Sequence, residues 1–225
     1  MKHNTISQSN FKYFYHSRSL PHLFDINKPV FITFRLKFTL PQAMITELNK
    51  RKSDWQNNRK AQFQNDKAIE LKSKDYIQFV WFDELIANSS EVPNLLTDYN
   101  VSDIISKALL FHNNQRYKLI AYCIMPNHVH IIINPAMLSD CDIYPISHIT
   151  YTWKKYTAYQ INKYLGNKGN LWQAESYDHL IKDEKQLIHY LEYLINNPVK
   201  AGLVKKWFDW NGTWISKEYR PDINE

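Results

Sequence analysis

Two histidines, His128 and His130, stand at alternate positions of the run Ile124-Met125-Pro126-Asn127-His128-Val129-His130-Ile131-Ile132-Ile133. Successive side chains of a strand point to opposite faces, so both imidazoles fall on one face, about 7 Å apart along the chain. Two rings placed this way can converge on one metal ion. The β-branched residues around them predict a buried strand, and such a strand tolerates titratable rings only where something satisfies their nitrogens. The same spacing also suits a pair of hydrogen-bonded structural histidines.

Farther along, in Leu191-Glu192-Tyr193-Leu194-Ile195-Asn196-Asn197-Pro198, Tyr193 and Asn197 are four residues apart and share a helical face. A phenol oxygen can attack phosphorus, and an amide oxygen can ligate a hard cation beside two imidazoles. With a free pKa of about 10, tyrosine is a weak nucleophile, so a divalent cation close by would have to assist at the phosphate. The alternative reading makes Tyr193 an aromatic core residue beside Tyr190, Leu191, Leu194 and Ile195, and Asn197 a helix-end residue before proline.

Composition narrows the chemistry. At 225 residues the chain is long enough for one sizeable domain with extensions, and 44% hydrophobic residues with 15 Tyr, 11 Phe and 7 Trp exclude a mainly disordered chain. Only four glycines are present, with no G-x-G-x-x-G and no Walker-type sequence, so no nucleotide cofactor is expected. Lys and Arg exceed Asp and Glu by 28 − 22 = 6, which favours polyanionic partners, and the aromatic load suits rings that stack on unpaired bases. Cys123 and Cys141 are too few for a disulfide framework. The polar Met1 to Asn10 segment and the lack of a run of about 20 apolar residues predict a cytoplasmic protein with no membrane partner.

The elements that must position these residues follow from periodicity. Residues 1–28 are polar and aromatic without a sustained period and are expected to form an extended arm. Residues 29–205 form the main domain. Its first strand lies within Pro29 to Pro41, and Pro41 opens one or two exposed helices between Ala43 and about Lys72, within a polar helical insertion covering about 45–97. A helix is expected over Val101 to Asn113, then strands over Tyr117 to Met125 and His128 to Asn134, joined by the turn dipeptide Pro126-Asn127. A basic amphipathic helix spans Ile146 to Leu165 and ends at Gly166. A strand over Leu171 to Ile181 and a last helix stopped by Pro198 follow. Residues 206–225 form a tail. The order predicts an α+β fold with a mostly antiparallel sheet and helices on one face, a ferredoxin- or RRM-like sandwich.

Three motifs in this order carry a resemblance. Met125-Pro126-Asn127-His128-Val129-His130, then Leu171-Trp172-Gln173 with Tyr177-Asp178-His179-Leu180-Ile181-Lys182, then Glu192-Tyr193 with Asn196-Asn197-Pro198-Val199-Lys200-Ala201-Gly202-Leu203-Val204 together resemble the REP-associated tyrosine transposases, single-tyrosine members of the HUH endonuclease superfamily. The likeness covers roughly residues 17–210. It implies an HUH endonuclease fold, His128, His130 and Asn197 as ligands of Mg²⁺ or Mn²⁺, and Tyr193 as the nucleophile that forms a 5′-phosphotyrosine with cleaved single-stranded DNA. Trp172, Gln173, Asp178 and His179 match a family motif and are read as shaping the site or contacting DNA. The implied partner is a folded single strand with a REP-like hairpin, cleaved and rejoined in DNA transposition at the nucleoid, by a monomer or by a homodimer that exchanges tyrosines.

Lys154 and Lys155, with Lys163 and Lys168, are candidate phosphate contacts, although a basic helix face is commonly just solvated. In the tail, Asn211-Gly212 interrupts the tryptophan-serine pattern usual in the family. Two rival readings stay open from the residues themselves: a non-catalytic single-strand-binding protein of RRM-like fold, and a metal-dependent hydrolase of small phosphoesters.

Overall fold

The structure is a computed structural model that describes residues 4–8, 11–17, 21–25, 28–38, 41–62, 80–81, 83–86, 92–135 and 144–220. It contains two compact units, residues 38–93 and the remainder of the chain. In the smaller unit, helix α1 (Gln42–Gln62) begins directly after Pro41. Met44, Ile86 and Val92 form its buried cluster, with Phe38 and Leu85 packed against them. The rest of the expected 43–72 helical stretch lies outside the described residues.

The larger unit opens with three short strands, β1 (Asn4–Gln8), β2 (Phe11–Ser17) and β3 (Pro21–Asp25), paired as an antiparallel meander. An extended arm was expected here. Aromatic residues at neighbouring positions such as Tyr13, Phe14 and Tyr15 hide the two-residue alternation that announces a strand.

The main sheet has five strands in the order β7-β4-β6-β5-β8, every neighbouring pair antiparallel. They are β4 (Val30–Arg35), β5 (Lys118–Ile124), β6 (His128–Asn134), β7 (Tyr177–Leu180) and β8 (Thr213–Ile215). The β5–β6 hairpin turns at Pro126-Asn127 as expected and is closed by the Met125 N–H donating to the His128 carbonyl at 2.9 Å. Among the described residues the α-helices of this unit are α2 (Tyr99–Phe111), α3 (Ile146–Leu165) and α4 (Glu184–Lys200). Asp98 caps α2 by accepting from the backbone of Asn100 and Val101. Left-handed Gly166 ends α3, with the Asn167 N–H reaching back to the Asn162 carbonyl at 2.8 Å.

The α+β class and antiparallel sheet agree with the sequence. Helices α2 and α3 cover one sheet face, where Tyr122 bonds Ser106 and Trp172 meets both Phe34 and Thr157. Helix α4 lies across the other face, where Tyr190 stacks on Phe31. Helices on a single face were expected, but β4, β5 and β6 are buried on both sides and need cover on both.

Two further differences have local causes. Pro198 was expected to stop the last helix, yet α4 runs through it to Lys200. The stop comes at Gly202, where φ is +69° and the Leu203 N–H donates to the Pro198 carbonyl at 2.9 Å, a Schellman closure that only a residue at ease in the left-handed region permits. The strand expected over Leu171 to Ile181 shrinks to Tyr177–Leu180, preceded by a lone bridge between Leu36 and Trp172.

The tail supplies an edge strand, since β8 pairs with β5 and Trp214 stacks on Tyr122 with ring centroids 5.8 Å apart. The interrupting Asn211-Gly212 has a steric reason. A Cβ on Gly212 would sit 2.6 Å from the Ile124 carbonyl oxygen and 2.7 Å from Trp210 Nε1, atoms already bonded to each other at 2.9 Å. Replacing Gly212 by alanine is therefore expected to cost about 2 kcal/mol through overpacking. Thermal melts should show Tm lower by about 4–8 °C, whereas Asn211→Ala, at an exposed position, should leave Tm nearly unchanged.

Candidate active site

Strand register assembles the site. Opposite His130 stand Thr33 on β4 and Cys123 on β5, and opposite His128 stands Arg35. Phe31, Thr33, Arg35, His128, His130 and Ile132 therefore share the face that α4 covers. Both histidines are fully buried.

Helix α4 turns a periodic stripe toward that face: Leu187, Tyr190, Tyr193, Leu194, Asn197 and Pro198 are all buried. Phe31 is the platform. Its ring stacks on Tyr190 at 4.8 Å and on His130 at 5.4 Å, and meets Tyr193 edge-on at 6.0 Å. Tyr193 in turn meets His130 edge-on, with centroids 5.7 Å apart.

The hydrogen bonds define which nitrogens of the imidazoles are available. Asn127 Oδ1 lies 2.6 Å from His128 Nδ1, and an amide oxygen only accepts, so His128 carries its proton on Nδ1. Asn197 Nδ2 lies 2.8 Å from His130 Nε2, and an amide nitrogen only donates, so the His130 lone pair is on Nε2 and its Nδ1–H donates to Thr33 Oγ1 at 2.7 Å. The two Nε2 atoms then face each other 3.0 Å apart. Neighbouring ligands of an octahedral ion with bonds of about 2.1 Å are themselves about 3.0 Å apart, so the spacing of the two imidazole nitrogens is one that a metal ion could bridge.

Two cations border this group. Lys200 Nζ lies over the Tyr193 ring, 5.4 Å from its centroid. Arg35 occupies the rung of β4 opposite His128, and burial holds its guanidinium below the usual arginine range. Tyr117 is a tyrosine of the core on the opposite face. Its hydroxyl donates to the Leu109 carbonyl at 2.6 Å and accepts from Trp153 Nε1 at 3.0 Å, and burial pushes its pKa up to about 12.

The structure thus brings His128, His130, Tyr193 and Asn197 together. Of the residues read as site-shaping or DNA-contacting, His179 reaches the same face, opposite Phe31 on β7, with its ring 5.2 Å from Tyr190. Asp178 alternates to the other face, opposite Ile32. Trp172 is buried there, donating from Nε1 to Thr157 Oγ1 at 2.9 Å, so its place is in the core under α3 rather than on a DNA-facing surface.

Gln173 docks its backbone on Arg35, its N–H donating to that carbonyl at 2.9 Å. Lys154 differs most from expectation. Its ammonium donates to the carbonyls of Gln173, Ala174 and Glu175 at 2.9, 3.1 and 3.2 Å and to Ser176 Oγ at 2.8 Å, which makes it the clamp of the loop before β7. Lys155 is exposed on α3. Thr33, Asn127, Phe31 and Lys200 were given no role from sequence. Asn127 and Lys200 lie inside the motifs, but Thr33 and Phe31 become neighbours of His130 only through strand register.

Thr33 and Asn127 fix the imidazole tautomers from behind. Thr33→Val is expected to weaken divalent-cation binding about 10- to 100-fold, measured by titration calorimetry with Mn²⁺. Thr33→Ser, which keeps the hydroxyl, should bind within a few-fold of the parent.

No protein-family profile matches the chain. A Haemophilus influenzae protein named as a REP-associated tyrosine transposase is 27% identical over 136 residues, 57% of this chain and 75% of that protein. The REP-associated tyrosine transposase of Escherichia coli is 30% identical over 94 residues, 42% of this chain; the aligned part spans about half (52%) of that relative. A solved structure of a REP-associated tyrosine transposase bound to a REP hairpin aligns with a TM-score of 0.49 and 19% identity, covering 83% of this chain and 76% of that one. The resemblance carried by the three motifs is thus shown by curated relatives: in sequence this chain is similar to the REP-associated tyrosine transposases.

Proposed function

We propose that the chain is a DNA transposase that cleaves and rejoins single-stranded hairpin DNA, with Tyr193 as the nucleophile. The observation that carries this reading is the convergence on one imidazole: the Tyr193 ring and the Asn197 amide both meet His130, whose Nε2 stands 3.0 Å from that of His128. A helix packed only for stability has no need to set a phenol and an amide against paired buried histidines.

Tyr193 Oη forms the new bond to phosphorus as the bond from phosphorus to the 3′-oxygen breaks. In net the phenol proton passes to the departing oxygen, which leaves as a 3′-hydroxyl. A Mg²⁺ or Mn²⁺ held by His128, His130 and, with its amide turned to present the oxygen in place of the Nδ2–H that now donates to His130, Asn197 would polarise the scissile phosphate and stabilise the charge developing on it. Phe31, itself stacked on Tyr190, holds the Tyr193 ring in place, and Lys200 sets a positive charge beside the phenol. One phosphodiester is exchanged for one phosphotyrosine, so a second 3′-hydroxyl reverses the step without an external energy source. The lack of any Gly-rich phosphate loop in the sequence accords with that economy. The link to REP sequences follows the names of the relatives, the polyanionic partner follows the basic balance of the chain, and the folded single strand is what the motif resemblance implies.

The test is a denaturing gel of the protein with labelled hairpin oligonucleotides and Mn²⁺. The parent chain should give a covalent adduct whose formation chelator prevents, and Tyr193→Phe should give none while its affinity for the hairpin stays within about 3-fold, since only one hydroxyl is lost. Binding without an adduct in the parent chain would instead favour the RRM-like binding protein. Turnover of small phosphoesters without an adduct would favour the hydrolase.

A further inference from the structure

The outer arc of α3 carries Tyr151, Lys155, Tyr159 and Lys163, one residue per four along a single stripe. Tyr151 is 58% and Tyr159 65% exposed, both lysines are exposed, and Tyr156 stands beside them at 49%. The inner arc, Ile149, Trp153, Thr157 and Ile161, is fully committed to the core. The outer tyrosines therefore contribute little to folding. Single exposed aromatics are ordinary, but three on one arc together with lysines and no carboxylate are not. Residues 143–174 contain four lysines, Lys154, Lys155, Lys163 and Lys168, and no Asp or Glu. On the adjoining helix α2 the acidic residues are engaged, Asp98 as the helix cap and Asp103 with Lys107 at 2.6 Å.

We propose that this stripe is a track for single-stranded DNA, on the sheet face opposite the candidate active site. Unpaired bases have faces to stack on tyrosine, and the phosphates between them meet lysine. Lys155 Nζ already lies over the Tyr151 ring, 5.8 Å from its centroid, so ring and cation are presented as one unit. A step of four residues rises about 6 Å along a helix, which leaves about 12 Å between the two tyrosines and a lysine midway for the intervening backbone. Duplex DNA exposes phosphates but no free base faces, so it would use only the lysines. A protein partner would be favoured by a continuous apolar patch, which the interleaved lysines interrupt.

The proposal rests on the reading that the chain handles single-stranded DNA, and its test is kept apart from cleavage. In a Tyr193→Phe background, binding of a fluorescent oligothymidylate that cannot form a hairpin is followed by anisotropy against salt. Tyr151→Ser with Tyr159→Ser should weaken it at least about 10-fold and leave binding of a blunt duplex unchanged. Lys155→Gln with Lys163→Gln should reduce the slope of log affinity against log salt by about 1.4, two phosphate contacts on a single strand. Melting curves check that both variants fold, and Tyr151→Phe with Tyr159→Phe, which keeps the rings, should bind as the parent does. Unchanged oligothymidylate affinity in both double variants overturns the proposal. So does an equal loss for single strand and duplex in the tyrosine variant, or a change confined to self-association in light scattering. Failure of the parent chain to form an adduct would sink the cleavage reading and leave this one standing.

Discussion

The site depends on two imidazole Nε2 atoms held 3.0 Å apart inside a strand that solvent does not reach. Water cannot relax that contact, and the rings cannot turn away, because each Nδ1 is bonded to a fixed oxygen, on Asn127 for one and Thr33 for the other. Each of those oxygens is set by the fold, Asn127 by the two-residue hairpin turn and Thr33 by the pairing of β4 with β6. Sheet register therefore decides imidazole tautomer, and tautomer decides what the pair can bind.

Phe31 carries the same constraint across to the helix. One ring contacts His130, Tyr190 and Tyr193, so the strand that orients the imidazole also orients the phenol. Aromatic contacts of this kind contribute about 0.5–1.5 kcal/mol each beyond burial. Their larger effect is directional, since an edge-on ring has few alternatives in a packed interior. The hydroxyl of Tyr117 is tied to a carbonyl and an indole, and that tyrosine is locked into the core. The Tyr193 ring is fixed by Phe31 and His130.

What could be read from the sequence divides along the range of the interactions. The His128-Val129-His130 alternation, the Pro126-Asn127 turn, the four-residue step from Tyr193 to Asn197 and the bounds of α3 are local signals, and each has the expected backbone. The partners of His130 are not local. Thr33 lies nearly a hundred residues before His130, and nothing in its neighbourhood marks it until β4 and β6 are paired. The tail strand β8 and the clamp by Lys154 escaped for the same reason, because a basic helix face and a carbonyl-rich loop look alike whether or not they meet. Pro198 misled differently. Its missing N–H costs one helical bond, a loss the buried face around Leu194 and Asn197 overrides, while the true terminator, Gly202, stood four residues farther on.

Strand β4 keeps the two faces of the sheet distinct. Along β4, Phe31, Thr33 and Arg35 belong to the face with the histidines, and Val30, Ile32 and Phe34 to the face under α2 and α3. A slip of one residue would exchange the sets, putting Phe34 beside the imidazoles and Thr33 against Trp172. Such a slip would leave a hydroxyl facing an apolar layer and remove the acceptor of His130, so polar satisfaction and packing reject it together. The register that makes a metal-capable pair is thus also the one that fills the opposite core, and neither face can be altered at β4 without disturbing the other.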